Sequence, residues 1–215
     1  MRVLDLKKDL KRFYLPSAKK VEILQVPRLQ FAMIDGAIEK GEAPGTSTGF
    51  QEATQALYSI AYTLKFMLKK RKASPVDYPV MALEGLWWVE DGVFDITVKD
   101  NWFYTLMILQ PDVITHEVFE QGLAEVRRKR GDSPALGRLR LAAFDEGWCM
   151  QVMHIGPYAA EPATVERMKA YALENGYRDC VGRGGKHHEI YLGDPRKADP
   201  ARLKTVLRHP VEKIA

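Results

Sequence analysis

The chain has 215 residues, 46% of them hydrophobic and 28% charged, with a net charge of +4. This is the composition of an ordinary globular protein, built as one large domain or two small ones. Basic residues are scattered among acids, so nothing marks a nucleic-acid interface, and the slightly basic balance excludes an acidic mimic of DNA.

In chain order, residues 1–20 read as a lead-in that mixes charged and apolar side chains. It has neither the continuous apolar segment nor the cleavage site of a secretory signal, so a cytoplasmic protein is expected. "VEILQVP" (21–27) and "LQFAMIDG" (29–36) read as strands stopped by Pro27 and Gly36. Gly, Pro, Ser and Thr make 37–49 a loop. From about 50 to 71, Phe50, Ala53, Leu57, Ile60, Leu64 and Met67 recur at helical spacing. Tyr58, Tyr62 and Phe66 add a second stripe, which predicts a helix covered on most sides. "YPVMALEGLWWVEDG" (78–92) and "WFYTLMILQP" (102–111) read as two further strands with turn chemistry between them.

Thr115 caps a second helix that Gly131 ends. The basic run Arg127–Arg130 complements the negative end of its dipole. "GWCMQVMHIGP" (147–157) is a strand, and Pro162 opens a third helix that closes at Asn175-Gly176. "RDCVGR" and "HHEIYLG" read as a pair of short strands, and "DPARLKTVL" (199–207) as a terminal helix capped by Asp199. No apolar stretch reaches about 18 residues, so no membrane span is expected. Cys149 and Cys180 fit no CxxC pattern, and reduced thiols are expected.

Residues 29–110 and 147–193 both run strand, helix, strand, strand. The expected organisation is a single α+β domain over 1–215. Its first half spans about 21–111, a linking helix lies at 112–133, and the second half spans about 140–209. Two βαββ halves, SH2-like in outline, would share one curved antiparallel sheet with helices on one face. The open face of that sheet, or the seam between the halves, would form a ligand groove. In this register "WFYTLMIL" and "HHEIYL" are equivalent last strands, and Tyr104 matches Glu189.

The run His187-His188-Glu189 admits three readings: a zinc site, a solvated edge strand, or an acid at the bottom of a ligand pocket. On a strand, His187, Glu189 and Tyr191 share one face and His188 points the other way. A metal would need further ligands, for which His154 is the nearby candidate. The HExxH signature is absent, which counts against zinc, and no metal or organic cofactor is expected. A carboxylate among Trp87, Trp88, Trp102, Tyr104, Trp148 and Tyr158 suits a base or the partner of a cation. Trp87 and Trp88 cannot both face one side, so one packs in the core and the other lines a surface or cleft. "GRGGK" and "GTSTG" lack phosphate-loop spacing, and no GxSxG elbow occurs.

Taken together, "IDG", "FQEATQALYSIAYTLKF", "LEGLWWVE", "HIGPY" and "HHEIYLGDPRK" resemble the GyrI-like family, in particular its stand-alone bacterial members, over about residues 5 to 210. The loop "AIEKGEAPG" is longer and less glycine-rich than the compact form associated with that family. The resemblance implies a duplicated βαββ fold that binds bulky aromatic or cationic small molecules, with a strand glutamate meeting the ligand's charge. Glu189 matches that position. It also implies, for some stand-alone members, hydrolysis of cyclopropane-bearing DNA-alkylating compounds. On that basis Glu189, Tyr158 and Tyr104 are the candidate catalytic residues. Trp87, Trp88, Trp148, His154, His187 and Tyr191 are the candidate ligand-binding residues. The rival expectation is a non-catalytic multidrug-binding or sequestering protein.

Overall fold

The computed structural model describes residues 1–90, 94–98 and 101–214. The chain begins with β1 (Arg2–Val3) and the short helices α1 (Leu6–Asp9) and α2 (Lys11–Tyr14). There follow β2 (Glu22–Val26), β3 (Leu29–Ala37), α3 (Thr48–Lys69), β4 (Val76–Asp77), β5 (Leu83–Trp88) and β6 (Phe103–Leu109). Next come α4 (His116–Arg130), α5 (Pro134–Arg138), β7 (Arg140–Phe144), β8 (Gly147–Ile155) and α6 (Glu161–Glu174). The chain closes with β9 (Tyr177–Asp179), β10 (His187–Tyr191) and β11 (Lys204–Lys213).

Apart from the small β1–β4 pair, the described strands form one curved antiparallel sheet of order β2-β8-β11-β10-β5-β6-β3-β7, with β9 on β11. The fold is α+β, with two βαββ halves, β3–α3–β5–β6 and β8–α6–β10–β11. Their middle strands meet at the seam, where Glu189 pairs with Gly85 and His187 with Trp87. Each half is completed by the strand that leads into the other: β2 pairs with β8, and β7 with β3.

Three expectations are corrected here. Residues 199–207 are not a helix. Asp199 and Pro200 start only a 3-10 turn over Pro200–Arg202, and β11 then runs between β8 and β10. Its Thr205, Leu207 and His209 face one side while Val206 and Arg208 face the other, all buried. A strand covered on both faces has no polar alternation, and a short apolar run of that kind reads equally well as a helix. Consequently β10 corresponds to β5 and β11 to β6, so Tyr104 on β6 is not the counterpart of Glu189. The segment "RDCVGR" is likewise not a partner of β10: β9 covers only 177–179 and pairs with β11. Of the turn read at 90–92, only Glu90 lies within the described residues.

On one side of the sheet, Leu57, Ile60 and Leu64 of α3 pack on Ile34, Leu106 and Ile108, together with the buried rings of Trp87, Trp102 and Tyr104. Side chains of this kind contribute about 1.5–3 kcal/mol each on burial. At Gly122 of α4 a Cβ would lie 2.6 Å from Leu64 Cδ2, so the glycine permits the close crossing of α3 and α4. In the second half, Val165, Met168 and Ala172 of α6 pack on Met150, Val152 and Leu207. The two helix-covered regions flank the β5–β10 seam.

The opposite side of the sheet is not open. The lead-in covers it: Tyr14, with Leu6, Leu10 and Phe13 beside it, packs on Met33, Met107, Met153, Ile190 and Val206. This leaves the seam, on the α3/α6 side, as the place for a groove. The second stripe on α3 is also less covered than its spacing predicts. Tyr58, Tyr62 and Phe66 are 36%, 49% and 46% exposed, and the Tyr62 and Phe66 rings stack on each other instead of on the sheet.

Candidate functional site

Strand alternation sends His187, Glu189 and Tyr191 to the helix side of β10, at the seam. Glu189 is 5% exposed and its neighbours are mostly rings. Trp87 stands across from His187. Phe94 stacks on the His187 ring at a centroid distance of 5.5 Å with an interplanar angle of 25°. Tyr158 meets Tyr191 edge-on at 6.1 Å. The indole Nε1–H of Trp87 donates to the Tyr191 oxygen at 3.0 Å, and the Tyr191 hydroxyl in turn donates to Glu189. Burial, and then the Glu189 charge, push the phenols of Tyr191 and Tyr158 above their ordinary range, so both remain protonated donors.

The turn "HIGPY" places the second wall. Gly156 has φ +136°, a conformation that side chains disfavour. The His154 ring ties the turn to α6: Nδ1 lies 2.9 Å from Thr164 Oγ1 and Nε2 3.2 Å from the Pro157 carbonyl. The chain then enters α6 with Tyr158 just before it and Glu161 in its first turn, where a carboxylate is favoured by the helix dipole. Glu161 is fully buried, and one ligand-type atom from each of Glu161, His187 and Glu189 falls within 4.8 Å of the others. A nitrogen and two carboxylates are a donor set for a divalent ion. Here, however, His187 Nε2 is engaged with Glu189 Oε1 at 2.9 Å, a hydrogen bond that a metal would have to replace.

That bond is the first of three. His187 Nδ1 lies 2.6 Å from His209 Nε2, and His209 Nδ1 lies 2.8 Å from Asp179 Oδ2. Burial disfavours charge on His187 and lowers its pKa, outweighing Glu189. Burial also works against the Asp179 charge, but His209 outweighs it and the carboxyl is held below its usual range.

A family model described as the GyrI-like small molecule binding domain matches residues 19–212. The chain belongs to the GyrI-like family. Three solved structures from Listeria innocua resemble this GyrI-like chain over their whole length. One is an uncharacterized conserved protein, 43% identical, with a TM-score of 0.86 and 97% of this chain covered against 100% of its own. Another is a hydrolase encoded by lin2189, 40% identical, TM-score 0.85, with 99% and 100% covered. The third, also a hydrolase, is 39% identical, TM-score 0.83, with 97% and 100% covered. The EcmrR C-terminal domain shares the fold at 12% identity and a TM-score of 0.52, with 91% and 98% covered. No curated protein matches.

Within this GyrI-like domain, the candidate residues divide by position. Glu189, His187, Tyr191, Trp87 and Tyr158 come together at the seam. Tyr104 does not: it is 1% exposed in the α3 core, packed on Trp87 and Phe50, with its ring over Gly36. Trp88 projects from the other face of β5, stacks on Phe103, and carries the Lys186 ammonium 3.3 Å from its ring centre. Trp148 sits half-exposed at the far end of β8 against Tyr177. His154 supports the turn as described. An open hollow of about 530 Å³ lined by Met1, Leu68, Arg71 and Val113 shares no residue with the seam cluster.

The seam includes residues that sequence reasoning passed over. Phe94 lies in the β5–β6 connection, which has no periodic pattern. Glu161 is visible only as an acid beside the Pro162 helix start. His209 and Asp179 belong to strands whose true extent and pairing the sequence conceals. Gly85 carries no side chain to notice.

His188 faces the other side and forms a separate network. Its Nε2 lies 3.0 Å from Glu84 Oε2 and its Nδ1 2.8 Å from Glu146 Oε1. Arg208 reaches Glu146 at 3.1 Å, Gln151 at 3.1 Å and the Phe13 carbonyl at 2.6 Å, and Tyr14 donates to Glu84. Two ring nitrogens each facing a carboxylate require an imidazolium. Burial opposes that charge, but Glu146 and then Glu84 raise the His188 pKa. This network ties α2 to the sheet. No helix among the described residues is long and apolar enough to cross a membrane.

Proposed function

We propose that the seam binds flat, bulky organic molecules and hydrates a strained cyclopropane ring in them, as a cofactor-free hydrolase. The observation that carries this reading is the Glu189 carboxylate, buried among Trp87, Tyr191, Tyr158 and Phe94 and facing a strand position with no side chain. The hydrolases of Listeria innocua at 39% and 40% identity support it.

In the proposed reaction Glu189 orients a water and takes its proton. The water oxygen bonds to a cyclopropane carbon, the strained C–C bond breaks, and its electron pair moves through the conjugated dienone to the carbonyl oxygen. Tyr158 donates a hydrogen bond to that oxygen as charge grows there. Its raised pKa suits a donor that keeps its proton, and the phenolate product collects the proton that water gave up. Trp87 and Tyr191 supply flat surface that holds the reacting carbon near the water. A general base of this kind contributes about 10² to 10⁴ in rate.

One observation favours a second reading. Glu161 joins Glu189 beneath the rings, and two buried carboxylates under aromatic faces also suit a cation held without turnover. Incubation with a cyclopropane-bearing dienone alkylator in ¹⁸O-labelled water separates the two. The hydrolase reading requires product carrying one ¹⁸O on the former ring carbon, and binding with no labelled product leaves the sequestering protein.

A further inference from the structure

We propose that His187, His209 and Asp179 form a proton relay behind Glu189, which moves the proton taken from water out to His209 and stores it there as an imidazolium beside Asp179. The proposal rests on the reading of Glu189 as the group that receives that proton.

The geometry supplies three consecutive hydrogen bonds from Glu189 Oε1 through both nitrogens of His187 and both of His209 to Asp179 Oδ2, at 2.9, 2.6 and 2.8 Å. Three bonds hold three protons, and two of the arrangements that satisfy all of them mark the ends of the transfer. In the first, Glu189 carries its proton and donates to His187 Nε2, His187 Nδ1–H donates to His209 Nε2, and His209 Nδ1–H donates to Asp179. In the second, the Glu189 proton has moved to His187 Nε2 and the His187 Nδ1 proton to His209 Nε2. Glu189 is then a carboxylate again, His187 is neutral in its other tautomer, and His209 is a cation. No proton is gained or lost between the two, and one positive charge has moved two groups outward. The reverse shift returns the proton to the phenolate product through Glu189.

The surroundings favour this direction. His187 is fully buried and a poor place for charge, so the charge passes through it. Asp179, whose side chain is 13% exposed, is the member of the relay that reaches solvent, and its carboxylate offsets the His209 cation. The charged and titratable groups around the relay include Tyr158 just before α6, Glu161 and Lys169 from α6, Tyr191 and His188 from β10, and Cys180 after β9. Lys169 and Cys180 lie near Asp179, His188 acts on His187, and Tyr158, Glu161 and Tyr191 surround Glu189. The strands that carry the relay, β9, β10 and β11, all belong to the second half.

Asp179→Asn tests the proposal, because its one amide oxygen can still accept from His209 Nδ1–H but cannot offset an imidazolium, while its NH2 takes the place of the oxygen that accepts from the Val181 N–H. With the cyclopropane-bearing dienone as substrate, kcat should fall at least about tenfold, within the range of a proton-transfer contribution. KM should stay near wild type, the melting temperature should fall only by the lost Val181 hydrogen bond, and the solvent deuterium isotope effect on kcat should rise. His209→Gln should lower kcat in the same way. Nitrogen-15 labelling of histidine in the wild-type protein gives a readout independent of turnover. A scalar coupling between His209 Nε2 and His187 Nδ1 is expected across their shared proton, and the relay is overturned if it is absent. It is also overturned if both variants keep wild-type kcat. If the wild type itself makes no product but the coupling is present, the hydrolase reading fails while the hydrogen-bonded path stands.

Discussion

Gly85 pairs directly with Glu189 across the seam, and a Cβ added there would lie 2.8 Å from Trp87 Nε1 and 3.1 Å from the Tyr191 oxygen. The missing side chain is therefore what allows Trp87 to donate to Tyr191 over the strand opposite the carboxylate. Rings, donor and acid depend on one another through a position that carries no functional group.

Replacing Gly85 by Ala should break this arrangement. The Trp87–Tyr191 hydrogen bond must lengthen, and overpacking of this kind costs about 1–3 kcal/mol. Urea unfolding should show that loss, and fluorescence titration with a flat aromatic cation such as ethidium should show weakened binding.

Tyr191→Phe removes the acceptor for the Trp87 indole and a donor to Glu189 while keeping the ring. An unsatisfied buried polar group costs about 1–3 kcal/mol. The variant should fold, unfold at lower urea than wild type, and bind ligand more weakly than a variant altered at the exposed Tyr62.

Tyr158→Phe should leave the fold intact, since this ring is only partly buried. Loss of one donor to a developing oxyanion lowers kcat by about 10² to 10³. Steady-state kinetics should place the effect in kcat with KM little changed. Equal losses for Tyr104→Phe would contradict the assignment, because Tyr104 lies in the α3 core.

The His188 network predicts a defined pH window for stability. His188 has its folded pKa raised, so its contribution is complete below the unfolded value of about 6.5 and is lost as pH rises through the folded value. Glu146 is opposed by burial but held at about 2 by His188 and Arg208. Its contribution is complete above the unfolded value of about 4.3 and is lost as pH falls toward the folded one. Urea midpoints should be highest between those limits. His188→Gln leaves Glu84 and Glu146 short of a cation, should cost about 3–5 kcal/mol near pH 6, and should flatten the decline above pH 6.5.

Much of the fold was legible in the sequence because its signals are local. The α3 period, the Thr115 and Gly131 caps and the Pro162 start lie within a turn or two of what they determine. The strand β11 was not legible, since burial on both faces erases the alternation that identifies strands. That one misreading moved Tyr104 into the wrong equivalence and hid His209. The lead-in reads only as a segment mixing charged and apolar residues, yet Leu6, Leu10, Phe13 and Tyr14 pack on the sheet face opposite α3 and α6.

For the site, alternation alone separates Glu189 from His188, and it also separates Trp87 from Trp88. Which of the two tryptophans stands on the carboxylate side required knowing that β5 and β10 are neighbours, a long-range pairing that no local pattern encodes. The same holds for Glu161, which arrives from α6, and for Phe94.

The most direct test compares wild type and Glu189→Gln for hydration of a cyclopropane-bearing dienone alkylator, with ligand affinity measured on the same samples. A fall in kcat of about 10² or more, with the flat ligand still bound, is the predicted result. Full turnover by Glu189→Gln would contradict a carboxylate at this position acting as the base.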